Sequence, residues 1–255
     1  MKWLIKNSRL LRFLLLIILI VVAFTTSFSG MKTIYVYLIS LSVYAIPMLA
    51  MFIAPRKWFA KIAKEYENTC DPKDYKEAIE LFYKASPKSP LNQANYAVAL
   101  MLDRERLHEA RMIMETLPMD RIYGNALNFI LYNNFCTLYL DLNELDKAEE
   151  CYNKALELDS KIKNEAQKQI NRTHIAALGC DLAIKKNDPE KALGFLEHHK
   201  KETLLQKSGH ALLLGKIYLL QNEKEKAKEQ LSFVIENASK INLGQEAKEL
   251  LEACN

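Results

Sequence analysis

Asparagine recurs in this chain at positions where a helix gains little from it. Asn92, Asn95, Asn133 and Asn134 stand in segments whose apolar residues repeat at helical spacing, yet asparagine is an indifferent helix former. Its amide supplies a donor and an acceptor from one side chain. Thr137, Asp181 and Lys216 add a hydroxyl, a carboxylate and an ammonium group at non-core positions of similar segments. The chemistry open to such a set is reversible binding through hydrogen bonds. A merely solvated polar face would use the same residues.

Bond-making chemistry has no comparable set. Gly215-Lys216 lacks the glycine spacing and the following Ser or Thr of a phosphate loop, and His108-Glu109 lacks the second histidine of a metal-binding helix. His198 and His199 are adjacent, so on a helix they point in different directions and read as a solvated helix end. Single Ser, His and Asp residues occur without a nucleophile elbow or a strand to carry one. The triplets Asn171-Arg-Thr173 and Asn237-Ala-Ser239 resemble glycosylation sites but fall in helical segments. Cys70, Cys136, Cys151, Cys180 and Cys254 are odd in number and widely spaced, mostly on apolar faces, and read as reduced packing residues. No enzyme, metal or cofactor is expected.

The elements that must position the polar residues are helices in pairs. From Tyr132 to Asp159, Tyr132, Phe135, Cys136 and Tyr139 share one helical face, and Leu145, Ala148, Tyr152, Ala155 and Leu158 share another. The polar turn Asp141-Leu-Asn143-Glu144 separates them. This spacing resembles a tetratricopeptide repeat, with small Cys136 and aromatic Tyr139 on the first helix and Ala148, Tyr152 and Ala155 on the second. The unit recurs as Ala94, Ala97, Val98 and Met101 with Leu107, Ala110, Met114 and Leu117. It recurs again as Ala176, Ala177, Cys180 and Ala183 with Ala192, Leu193 and Leu196, and as Ala211, Leu214, Gly215 and Tyr218 with Ala227, Leu231 and Val234. Ile241 to Cys254 reads as a capping helix that closes the last pair.

The resemblance covers nearly everything after Asp71, with Met101, Met114 and His199 departing from the family's pattern. It implies an all-α fold of about five helix pairs stacked as a right-handed α-solenoid, because each pair leaves an apolar face that only its neighbours can cover. In that family the first helix of each pair lines a concave peptide-binding side. The implied groove residues are Asn92, Asn95, Asn133, Asn134, Thr137, Asp181 and Lys216. The lysine-rich clamp that some members use for a terminal carboxylate is missing, since Lys216 stands alone.

The front end is of another kind. Residues 13–28 and 34–54 are apolar runs of bilayer-spanning length separated by Ser29-Gly30-Met31-Lys32-Thr33, and they predict a transmembrane hairpin. Pro47 in the second run is tolerated in such helices, and Ser40 and Ser42 could pack one helix on the other. A cleaved signal peptide would also have a basic start, but Thr25 to Gly30 offers no good cleavage site and a second run follows at once.

From Met1 to Lys64 there are nine basic residues and no acidic one. The remaining 26 Lys and Arg face 31 Asp and Glu, leaving residues 65–255 at −5. That acidic part, without a basic stripe, argues against a nucleic-acid partner. Basic residues before the first run and after the second place both termini on the cytoplasmic side.

The expected organisation is a hairpin over residues 1–55, a juxtamembrane segment over 56–70 and a repeat domain over 71–255. Trp58, Phe59, Ile62 and Tyr66 oppose Lys57, Lys61 and Lys64, so residues 56–70 fit either an interfacial helix or the first helix of a repeat. The expected partners are a protein or peptide in the concave groove, and membrane lipid along residues 13–54 and at Lys57, Lys61 and Lys64. The function these features imply is a membrane-anchored adaptor or scaffold. The alternative is an accessory subunit whose hairpin recognises a membrane protein.

Overall fold

The computed structural model describes residues 1–27, 32–118 and 124–253. Among them the structure is helical throughout, without strands. A short α1 (Lys2–Lys6) leads into α2 (Ser8–Ser27), which packs against α3 (Thr33–Thr69). The connection between α2 and α3, with Phe28, Ser29, Gly30 and Met31, lies outside the described residues, as does Cys254.

Ser8–Thr26 and the front of α3 are long and apolar enough to cross a membrane, with mean hydropathies of 2.3 and 2.1, and neither apolar window is buried within the chain. Phe13, Ile20, Phe24, Tyr37, Leu41 and Ile46 are all at least 60% exposed. Burying such side chains in an apolar medium is favourable by about 1.5–3 kcal/mol each. Ser40 is buried between the helices. Ser42 is not at that contact: it is exposed, and its hydroxyl donates to the Leu38 carbonyl at 2.8 Å.

At 37 residues, α3 contains Pro47 and Pro55 and runs unbroken through residues 55 and 56. Residues 56–69 are therefore the last part of one helix. Its aromatic face meets α4 (Lys73–Ala85): Phe59 lies 5.7 Å from both Tyr75 and Phe82, and Tyr66 stacks on Tyr75 at 4.7 Å. Its lysines Lys57, Lys61 and Lys64 stay exposed.

Four further pairs follow. They are α5 (Pro90–Met101) with α6 (Leu107–Met114), α7 (Asn125–Asp141) with α8 (Leu145–Ser160), α9 (Glu165–Lys185) with α10 (Pro189–Leu196), and α11 (Leu204–Leu220) with α12 (Lys224–Ala238). The helices of a pair approach closely because small residues sit where they touch. Ala78, Ala110, Ala148, Ala192 and Ala227 on the second helices are at most 1% exposed, as are Cys136 and Cys180 on the first helices. At Gly215 an added Cβ would come within 2.9 Å of the Leu231 side chain.

The last three pairs share one turn. Asn143, Asn187 and Asn222 each take φ between 58° and 60°, a left-handed conformation that asparagine tolerates better than most residues. In each case the next residue's N–H returns to a carbonyl five positions earlier: Glu144 to Tyr139, Asp188 to Ala183 and Glu223 to Tyr218, at 2.8–2.9 Å.

The array does not stay open. Capping helix α13 (Asn242–Ala253) packs on α12, but its start also reaches the other end of the stack, where the Asn242 N–H donates to the Leu102 carbonyl at 3.0 Å. Arg104 pairs with Glu249 at 3.1 Å, and Lys240 pairs with Asp71. Tyr66 and Cys70 from the first pair share a buried cluster with Ala211, Leu212, Leu231 and Val234 from the last. The capping helix therefore closes more than the final pair: with Ile241 fully buried, it joins last to first.

Candidate functional site

Closure of the array encloses a space between the first helices of the pairs. This inner groove has a volume of about 470 Å³ and receives residues from α3, α5, α7, α9 and α11, with Tyr75 from α4 and the start of α13 at its edges. Each first helix turns one side to its partner and another inward, and the inward positions are mostly apolar or small. Tyr66, Val98, Met101, Ala177, Leu205 and Gly209 make much of the wall. At Gly209 an added Cβ would meet nothing within 4 Å, so the groove is open there.

Of the seven groove residues expected from the sequence, Asn133, Asn134 and Thr137 come together on this wall. The Thr137 hydroxyl donates to the Asn133 carbonyl at 3.2 Å, while the Asn133 Oδ1 is buried without a hydrogen-bond partner. Asn92 lies elsewhere. Its Nδ2 donates to the Phe82 and Ser86 carbonyls at 3.0 and 3.3 Å, which ties the end of α4 to α5 and accounts for asparagine there. Asn95 is half-buried on α5 and is not part of this wall.

Asp181 and Lys216 are committed to each other. Lys216 Nζ lies 3.1 Å from Asp181 and 2.8 Å from Glu246, with its side chain only 11% exposed. Burial alone would lower the Lys216 pKa, but the two carboxylates more than offset that and hold it above the usual lysine range. Asp141 stands beside this cluster with Oδ2 buried and unpartnered. Burial, reinforced by Glu246 and Asp181 and opposed by Lys216 and Arg104, pushes its pKa up to about 7. The cluster draws on α7, α9, α11 and α13, so it ties the capping helix to three inner helices.

Sequence reasoning missed several wall residues. His199 is not at a solvated helix end: it lines the groove, its ring 5.6 Å from that of His210, and both Nδ1 atoms are buried without partners. Burial, with His210, His174 and Lys201 nearby, lowers the His199 pKa to about 4, and burial also lowers His174 and His210. These histidines are neutral at pH 7. Glu67 is the charged side chain at the groove's edge, so the interior is nearly neutral and offers unpaired acceptors.

Among the described residues, no group of three or more His, Cys, Asp or Glu could hold a metal ion. The buried thiols Cys136, Cys151 and Cys180 have raised pKa values, with Cys151 at about 11 and Cys180 at about 12, chiefly through burial. They are poor nucleophiles at neutral pH.

Comparison with protein families matches residues 131–162 to the tetratricopeptide repeat, which covers the second part of α7 and all of α8. No curated protein and no solved structure matches the chain. Residues 131–162 thus contain a tetratricopeptide repeat, and the shared turns of the last three pairs and the small residues where paired helices meet show its neighbours built in the same manner.

Proposed function

We propose that the chain is a membrane-anchored adaptor that binds a peptide segment of another protein in its inner groove. The groove of about 470 Å³ carries this reading: it is apolar, nearly free of charge and provided with Asn133, Asn134 and Thr137 on one wall. The unpaired Asn133 Oδ1 and the neutral His199 favour a ligand that brings N–H donors and an apolar side chain. A terminal carboxylate is disfavoured, because Lys216 is already neutralised by two carboxylates.

Anchoring is supported by the exposed apolar surface of α2 and the front of α3. A bilayer would cover that surface, while the lysines at 57, 61 and 64 would face the headgroups. The two ends of the hairpin also meet: Ile5 of α1 is buried, and Lys2 pairs with Glu77 of α4 at 2.6 Å. That contact supports a hairpin whose ends lie on one side of the membrane, with the repeats at the cytoplasmic face. A fixed anchor would raise the local concentration of the groove near membrane partners.

The test is to plug the groove without disturbing its helices. Gly209→Leu improves helix propensity while filling open space. Co-purification from native membranes should lose the groove-bound protein in this variant and keep it in Gly194→Ala, whose site also has no neighbour within 4 Å and is outside the groove wall. Unchanged recovery with Gly209→Leu would refute the groove.

A further inference from the structure

A second cavity, of about 460 Å³, lies at the foot of the hairpin, where α2 and α3 meet α4 and α5. Arg9, Arg12 and Arg56 line it, together with Met48, Met51 and Phe52, and no acidic residue does. Arg9 and Arg12 are three apart on α2 and so share a face. Arg56 stacks over Phe52 with its guanidinium carbon 3.5 Å from the ring centroid, which holds the group in place and leaves its N–H edge available.

Among the described residues, none of these three arginines forms an ion pair with a carboxylate, whereas Arg104, Arg106 and Arg111 of the repeats all do. Three unneutralised guanidinium groups around one cavity complement an anion, and guanidinium matches phosphate oxygens in a bidentate way. Met48, Met51 and Phe52 continue the cavity toward the apolar surface. The ligand that fits both halves is a phosphate attached to a hydrocarbon chain.

We propose that this cavity binds the phosphate headgroup of a membrane phospholipid, with Arg9, Arg12 and Arg56 on the phosphate and Met48, Met51 and Phe52 on the start of an acyl chain. The site rests on the membrane reading above. The arginines lie just before the first apolar run at Phe13 and just after the second at Ala54, at the level where headgroup phosphates are found. It is distinct from general attraction of Lys57, Lys61 and Lys64 to an anionic surface, because it is a cavity that takes one molecule.

The experiment uses full-length protein in a neutral detergent, with native mass spectrometry to count bound lipid and a titration to measure affinity. The probes are dihexanoyl phosphatidic acid, dihexanoyl phosphatidylcholine, glycerol 3-phosphate and inorganic phosphate. One phosphatidic acid molecule should bind, far more tightly than the zwitterionic lipid or either water-soluble phosphate. Each of Arg9→Gln, Arg12→Gln and Arg56→Gln should weaken it roughly fivefold, while Lys57→Gln/Lys61→Gln/Lys64→Gln, which removes three charges outside the cavity against one within it, should not.

Far-UV circular dichroism checks that the variants stay folded, as exposed arginines allow. Equal loss in the arginine and lysine variants would overturn the site, and so would equal affinity for free phosphate. Integration into phosphatidylcholine vesicles, assayed by resistance to alkaline extraction, separates the two failures. A chain that fails to integrate sinks the anchor, whereas one that integrates but binds lipid independently of the arginines sinks the cavity alone.

Discussion

Replacing Lys216 by methionine keeps most of the side chain's volume and removes its charge. Lys216 is 11% exposed and bridges Asp181 and Glu246, themselves 20% and 24% exposed, and Asp141 stands beside them. The variant leaves these carboxylates in a mostly buried cluster with no cation between them. Breaking a buried ion pair from one side costs about 3–5 kcal/mol, and for a chain of this size each kcal/mol lowers Tm by roughly 2–4 °C.

Thermal unfolding of the full-length protein in neutral detergent at pH 7.5, followed by far-UV circular dichroism, should therefore show a fall of about 6–20 °C by that conversion. Lys200→Met removes an exposed pair with Glu202 and should cost no more than about 1 kcal/mol. Asp181→Asn added to Lys216→Met should restore part of the loss, since the two residues are in direct contact. A Lys216→Met protein as stable as the parent would refute the claim that this cluster fastens α13 to the inner helices.

Other outcomes follow from the same structure. Asp141 has its pKa raised from 3.8 to about 7, so the folded state binds the extra proton and this residue adds stability as pH falls from about 7 toward 3.8. His199, lowered from 6.5 to about 4, removes stability as pH falls through that window. Chemical unfolding between pH 4.5 and 8 should show Asp141→Asn losing stability more steeply on acidification than the parent, and His199→Gln losing it less steeply. Profiles of both variants that coincide with the parent's would contradict both assignments.

Gly194→Ala should stabilise by up to about 1 kcal/mol. Gly244→Ala should destabilise by about 1–3 kcal/mol, because its Cβ would press on the Ala238 carbonyl oxygen and come within 2.5 Å of Ser239 Cα; equal unfolding midpoints would be the wrong result. A cysteine replacing exposed Lys32 should react with an impermeant maleimide on intact cells, and reaction only after lysis would reverse the proposed topology.

The helix pairs were legible because their signal is local. Small residues such as Cys136 and Ala148 stand where two helices touch, and the apolar face on each side repeats at helical spacing. The two apolar runs were legible for the same reason. Asn143, Asn187 and Asn222 also carried a signal, since each is followed by an acidic residue and, four positions on, by the Lys-Ala that precedes the next contact, but its meaning rests on a left-handed φ that composition does not display.

What the sequence hid is long-range. Lys216 looked solitary because Asp181 and Glu246 lie 35 and 30 residues away in the chain. His199 looked solvated because its partner His210 arrives from the next helix. Tyr66 belongs to the groove only because the last pair returns to the first. Asn92 was singled out for its amide, and the amide is used within the fold.

The central claim is that a partner peptide occupies the inner groove, and cross-linking from the groove tests it most directly. A photo-reactive residue at Thr137, on the groove wall, is compared in native membranes with one at Met112, which is 65% exposed outside it. A defined protein should cross-link from position 137 and not from 112, and Gly209→Leu should abolish it. Cross-links of equal yield from both positions, or yields from 137 that ignore the plug, would contradict the account.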